Sequence, residues 1–125
     1  MSNYPGSILI FVYGTLKRGG VNHPLLAAQR YRGEARTEPG YRLYELDGYP
    51  GMVRDPADTD GVTGEVWLVD GTGLEALDAL EGLDEGWYRR EPIGLCAPFD
   101  REEVQGYVYA RSVAGRRKLG PTWGV

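Results

Sequence analysis

A chain of 125 residues with 42% hydrophobic and 26% charged content holds one modest core, and its net charge of -4, from 14 basic and 18 acidic residues, argues against a broad nucleic-acid-binding face. A single cysteine, Cys96, excludes an internal disulfide, and with a single imidazole, His23, the soft ligands are too few for a zinc site. The 19 glycines and eight scattered prolines predict many turns and short strands.

The opening M-S-N-Y-P-G-S lacks a basic leader, and no stretch approaches the roughly 18 apolar residues of a membrane helix, so a cytoplasmic protein without a membrane partner is expected. Residues 8–12, Ile8-Leu9-Ile10-Phe11-Val12, form an unbroken apolar run that predicts a central strand buried on both faces. The run passes into Tyr13 and stops at Gly14, where a loop with Gly14, Gly19, Gly20, Lys17 and Arg18 begins. A buried strand ending in a glycine turn exposes backbone N–H groups that can hold an anion or oxyanion; an ordinary surface loop is the alternative.

Residues 22–30 follow with an Asn22 cap, Pro24 in the first turn and helix formers, predicting a short helix that places His23 at its entry. Residues 31–38 and 40–46 alternate polar with apolar side chains around Pro39-Gly40, as a hairpin or a corner between strands. After the turn Asp47-Gly48-Tyr49-Pro50-Gly51 comes a brief strand at Met52 and Val53, then a polar loop. Its Asp55, Asp58 and Asp60 lack the spacing of a calcium site and read as solvated. Residues 62–69 resume the strand pattern. Thr72-x-x-Glu75 is a capping box before a helix through Glu81, and Gly82 stands where a C-terminal glycine belongs. Residues 86–95 and 103–111 predict two more strands, and Arg111, Arg116, Arg117 and Lys118 a solvated basic tail.

On a helical wheel Leu74, Leu77 and Leu80 form the apolar stripe, and Glu81 falls between Leu74 and Leu77. A carboxylate there meets both burial and the negative end of the helix dipole, and both raise its pKa toward the range of a general acid/base. If the helix ends a residue early, Glu81 instead swings into solvent with Asp84 and Glu85. Glu75 is explained by capping, and Asp78 lies at the stripe's margin. The glycine loop lacks the Lys-Ser or Lys-Thr pair of a phosphate-binding loop, no serine sits in a nucleophile elbow, and Cys96 has no nearby base in sequence.

The ordered set Tyr13-Gly14-Thr15-Leu16, Asn22-His23-x-Leu25-Leu26, Tyr41-Arg42-Leu43-Tyr44, Tyr49-Pro50-Gly51-Met52-Val53, Gly64-Glu65-Val66, Leu77-Asp78-x-Leu80-Glu81-Gly82 and Tyr88-Arg89-Arg90 resembles the gamma-glutamylcyclotransferase-like family, which includes the gamma-glutamylamine cyclotransferases and the AIG2-like group. The resemblance spans residues 8–109 and implies an α+β fold, a small mixed β-barrel of about six strands with two or more short helices packed outside. It implies a single domain over residues 1–125, with a core near 8–110 and the tail at 111–125. It also implies Glu81 as the acid/base, and Tyr13, Gly14, Thr15, Leu16, Gly51 and Tyr88 as substrate-binding residues. The implied reaction is cyclisation of a gamma-glutamyl compound to 5-oxoproline, with no metal or organic cofactor and a small-molecule substrate as partner; a monomer is expected. A non-catalytic binding module on the same fold, and an interaction domain using the basic tail, are the alternatives.

Overall fold

Strand β1 (Ile8–Val12) is the axis of the structure, a computed structural model that describes residues 6–124. The N-terminal reading above falls partly on residues 1–5, outside the described residues. Successive side chains of a strand point to opposite faces, so only an unbroken apolar run suits a strand covered on both. Leu9 and Phe11 of β1 enter one core, continued by Tyr13, while Ile10 and Val12 enter a second.

β1 pairs antiparallel with β5 (Thr63–Val69) and parallel with β7 (Val104–Tyr109). With β2 (Arg30–Arg36) and β6 (Tyr88–Pro92) outside them, the order is β2-β5-β1-β7-β6. β3 (Tyr41–Glu45) and β4 (Pro50–Arg54) form a separate antiparallel pair, and Tyr41, Leu43 and Met52 from it cover the first core. Leu74 and Leu77 of helix α1 (Gly71–Leu80) and Leu26 of the 3₁₀ turn His23–Leu26 cover the second.

The sheet curls without closing. Beyond β2 and β6 its two edges meet at a single bridge, Thr37 to Leu95, and β6 ends at Pro92, which has no N–H to extend a ladder. Against the expected small mixed β-barrel of about six strands, the described residues form seven strands in two sheets, and no closed barrel is found among them.

Other elements differ in detail. β2 and β3 make a corner, each pairing with another strand. The helix expected over residues 22–30 shrinks to a four-residue 3₁₀ turn, because β2 already begins at Arg30. Asp70, not Thr72, caps α1: its carboxylate accepts from Gly73 N at 2.7 Å, as the first residue past the β5 ladder. The tail is pinned by its backbone, with Glu45 N donating to Arg117 O and Leu119 N to Leu43 O, both at 2.9 Å. Leu119 and Trp123 rest on the first core, while the side chains of Arg116 and Arg117 reach Asp47 and Glu45.

Asp58 is not solvated. It is buried, accepts from Gly61 N at 2.7 Å and Gly40 N at 3.1 Å, and faces Arg42 at 3.7 Å. Burial pushes its carboxyl up, but these N–H groups and Arg42 outweigh it and hold it below its usual value of 3.8. Asp58→Ala is expected to lower stability by about 1–3 kcal/mol in urea unfolding at pH 7. Because the folded-state pKa is depressed, the ionic part of that contribution is full above the ordinary carboxylate pKa and is lost as pH falls from that value through the lower folded-state one, so the gap between wild type and variant narrows in that acid window.

Candidate active site

The loop leaving β1 turns back on itself. Gly14 O accepts from Lys17 N at 3.1 Å and Thr15 O from Asn22 N at 2.9 Å, while His23 Nδ1 donates to Leu16 O at 3.1 Å. With all three carbonyls drawn into the loop, the N–H groups of Gly14, Thr15 and Leu16 donate to no acceptor among the described residues. Asn22 Nδ2 also donates to Thr15 Oγ1 at 2.9 Å. His23 stacks on Trp67, with ring centroids 5.3 Å apart, and is thereby a structural residue of the loop.

Neither loop cation reaches this surface. Lys17 Nζ donates to Trp123 O, and Arg18 Nε to Glu65 Oε2 at 3.0 Å. Burial pushes Glu65 up, but the Arg18 and Trp67 donors prevail and leave its pKa lowered.

Glu81 arrives from the opposite side, at the C-terminal cap of α1. Gly82, at φ +65°, ends the helix as only glycine does readily; Gly82 N donates to Ala79 O and Leu83 N to Asp78 O, both at 3.2 Å, a Schellman pairing. The last helical residue is Leu80, yet Glu81 as the cap keeps helical backbone angles and donates its N–H to Leu77 O at 2.9 Å, so its side chain stays on the stripe. Glu81 is half-buried, and its carboxyl is pushed up to about 7 by burial first and by the Asp78 carboxylate second.

These parts share one cavity. A narrow chamber of about 40 Å³ is lined by Tyr13, Gly14, Thr15, Leu16, Glu81 and Tyr88 of the expected residues, joined by Pro50 and Tyr107. Gly51 does not line it. A Cβ at Gly51 would stand 2.9 Å from Leu46 Cδ1 and 3.1 Å from the Tyr109 side chain, so its bareness lets β4 lie against β7 and carries Pro50 to the chamber wall.

The tyrosines are fixed. Tyr13 OH donates to Tyr107 O at 2.7 Å and accepts from Met52 N at 3.1 Å; Tyr88 OH donates to Pro50 O at 3.1 Å. Burial, then the Glu81 charge, raises Tyr13 well above its usual value; burial, then Tyr13 and Glu81, raises Tyr88. Both remain neutral walls.

Behind Glu81 lies a network that sequence reasoning missed. Buried Asp78 accepts from Arg90 Nε at 3.0 Å and Nη2 at 3.2 Å, and from Tyr107 OH at 2.7 Å; Arg90 also donates to Gln105. The paired arginine in Tyr88-Arg89-Arg90 was the available signal, but only the β6–β7 register brings it beneath the helix.

The chemistry of such a chamber is proton exchange at a carboxyl poised near neutrality, beside donors suited to an oxyanion or carboxylate. No group of three His, Cys, Asp or Glu side chains among the described residues is placed to hold a metal ion, and none of their helices is long and apolar enough to cross a membrane.

Comparison with known proteins agrees with this geometry. Residues 10–123 match the family described as gamma-glutamyl cyclotransferase, AIG2-like. A Vibrio cholerae protein named provisionally as a gamma-glutamylcyclotransferase is 45% identical over 85 residues, 68% of this chain and 70% of its own. The human gamma-glutamylaminecyclotransferase is 34% identical, covering 83% of this chain and 78% of its own. Among solved structures, an AIG2-like protein from Mus musculus superposes with a TM-score of 0.70, with 30% identity over 86% of this chain and 79% of its own. The strand order, the loop after β1 and the glutamate closing α1 thus sit in a chain that belongs to the gamma-glutamyl cyclotransferase, AIG2-like family.

Proposed function

We propose that this protein is a cyclotransferase acting on a gamma-glutamyl compound, in which an amine or amino acid is joined to the γ-carboxyl group of glutamate. Glu81 takes a proton from the substrate's α-ammonium, and the freed amine attacks its own γ-carbonyl carbon. The new C–N bond closes a five-membered ring and leaves a tetrahedral oxyanion. The N–H groups of Gly14, Thr15 and Leu16 hold that oxyanion or the α-carboxylate. Glu81 returns its proton to the leaving nitrogen as the old C–N bond breaks. The second proton of the ring nitrogen passes by the same carboxyl to the released amine, which departs as ammonium beside 5-oxoproline.

One observation carries this reading: a carboxyl group with a pKa of about 7 shares a chamber with Gly14, Thr15 and Leu16, whose backbone N–H groups have no acceptor among the described residues. Intramolecular attack needs a folded substrate and a matched proton carrier more than it needs a strong nucleophile from the protein. The test is incubation of purified protein with a panel of gamma-glutamyl-amines and gamma-glutamyl dipeptides, following 5-oxoproline. Product from at least one member is expected. Saturable binding with no product from any member would make the protein a binding module on the same fold.

Gly14 offers a second probe. A Cβ there would lie 2.8 Å from Pro50 Cγ, across the chamber wall. Gly14→Ala is expected to lower kcat/KM by about 10- to 100-fold through sub-ångström displacement of the donors. Circular dichroism should show the fold retained; unchanged kinetics would place the donors outside the reaction.

A further inference from the structure

Lys17 follows directly on the three donors, and its main chain closes their turn, Lys17 N donating to Gly14 O at 3.1 Å. Its side chain turns away from the chamber. Lys17 is only 9% exposed, so its ammonium has largely left water, a cost that a buried charge ordinarily offsets with a carboxylate. Here the acceptor is a neutral main-chain carbonyl, Trp123 O, 106 positions further along the chain. The Glu65 carboxylate, whose charge acts on Lys17, is taken up by Arg18 N at 3.1 Å, Arg18 Nε at 3.0 Å and Trp67 Nε1 at 3.1 Å. Burial therefore prevails over Glu65 and lowers the Lys17 pKa.

Trp123 is itself held. Thr63 N donates to Pro121 O at 2.8 Å, the hydroxyls of Thr63 and Thr122 lie 2.5 Å apart, and the Trp123 side chain rests on the first core. Thr63 opens β5, and Glu65 on the same strand holds Arg18. Consecutive cations thus fix the far side of the donor loop to two adjoining anchors, Lys17 to the tail and Arg18 to β5. An apolar side chain would fill the Lys17 site at lower cost, whereas a hydrogen-bonded ammonium adds a fixed direction.

We propose that Lys17 is a positioning residue and the C-terminal segment a working part of the active site: the Trp123 carbonyl holds the Lys17 side chain, and through it the main chain of residues 14–16, in the geometry the substrate requires. Neither residue touches substrate. The effect on turnover rests on the cyclotransferase reading, and the hold on the loop does not. Donors that act on a developing charge must stay within about 0.5 Å of their productive places, which a glycine-led turn does not ensure alone.

The test uses the full chain. Lys17→Met keeps a side chain of similar reach and removes the ammonium. Backbone amide order parameters of Gly14, Thr15 and Leu16, measured by NMR, are expected at about 0.85 in wild type and below about 0.6 in Lys17→Met, with those of α1 unchanged. In the same variant kcat/KM for 5-oxoproline formation should fall about tenfold, while its rise with pH near 7 stays in place because Glu81 is carried by α1. Lys17→Arg keeps a donor for Trp123 O and should recover at least about half of the wild-type value. Trp123→Ala loosens the carbonyl from the first core and should reproduce the fall, and adding it to Lys17→Met should cost less than about twofold more. Unchanged order parameters or unchanged kcat/KM in Lys17→Met, an arginine variant no better than the methionine one, or effects of Lys17→Met and Trp123→Ala that multiply would overturn the inference and leave the cyclotransferase reading standing. If wild type forms no 5-oxoproline from any gamma-glutamyl compound, that reading fails, and the order parameters alone decide the hold on the loop. A fall in Lys17→Met and Trp123→Ala but not in Lys17→Arg supports it; any other pattern overturns it.

Discussion

Glu81→Gln is expected to lower kcat for 5-oxoproline formation by about 10³-fold, within the range for loss of a general acid/base, while substrate affinity changes only a few-fold. The amide keeps the shape of the carboxyl group and cannot carry the proton. In the wild type, kcat/KM should rise with pH through about 7 as Glu81 ionises, and this limb should vanish in the variant. A fall in kcat of less than tenfold would remove Glu81 from the chemistry.

The same substitution has a signature in stability that does not depend on any substrate. A carboxyl whose folded-state pKa is raised favours folding while protonated, and that advantage is lost as pH rises from its unfolded value through its folded one. Glu81 ionisation therefore costs stability between about pH 4.5 and 7, and Glu81→Gln should exceed wild type by about 2–3 kcal/mol at pH 8. Near pH 4 the two should unfold together. Equal stability at both pH values in urea titrations would mean that the carboxylate is well solvated.

Asp78 should produce the largest loss of stability. Asp78→Ala removes the buried carboxylate from Arg90 and the acceptor from Tyr107 OH, and is expected to cost about 3–5 kcal/mol in denaturant unfolding. Asp78→Asn retains an acceptor for Tyr107 and should cost about 1–2 kcal/mol. It also removes the negative charge that helps to raise Glu81, so the acid limb of kcat/KM should move to lower pH. A purely structural Asp78 would alter stability and leave that limb in place.

Much of this was legible in the chain because local pattern and tertiary demand coincide. The apolar run of β1 is buried on both faces because β1 is the middle strand, and Glu81 falls inside the Leu74–Leu77 stripe because the helix continues to its glycine stop. Leu80, on the same stripe, is instead 42% exposed, since the core ends at Leu77. What could not be read is whatever depends on partners distant in sequence. Asp78 looked marginal on the wheel because its partner Arg90 comes from another element. Asp58 looked solvated because its donors, Gly40 and Gly61, are backbone groups without side-chain identity. The tail carried no periodicity because it docks through its main chain, at Arg117 O and Leu119 N. The Asp70 cap was obscured by an equally well-formed box two residues later.

A recess of about 330 Å³ beside the chamber draws four apolar side chains from four separate places in the chain: the loop after β1 (Val21), the turn between β3 and β4 (Tyr49), the last residue of α1 (Leu80) and the turn before β6 (Trp87). None of the four is needed by either core, whereas the groups that set the protonation of Glu81 are buried. Substitution at these positions therefore leaves both cores and the groups that set the protonation of Glu81 in place. A combinatorial library confined to these four codons would vary the recess without first having to recover a folded protein.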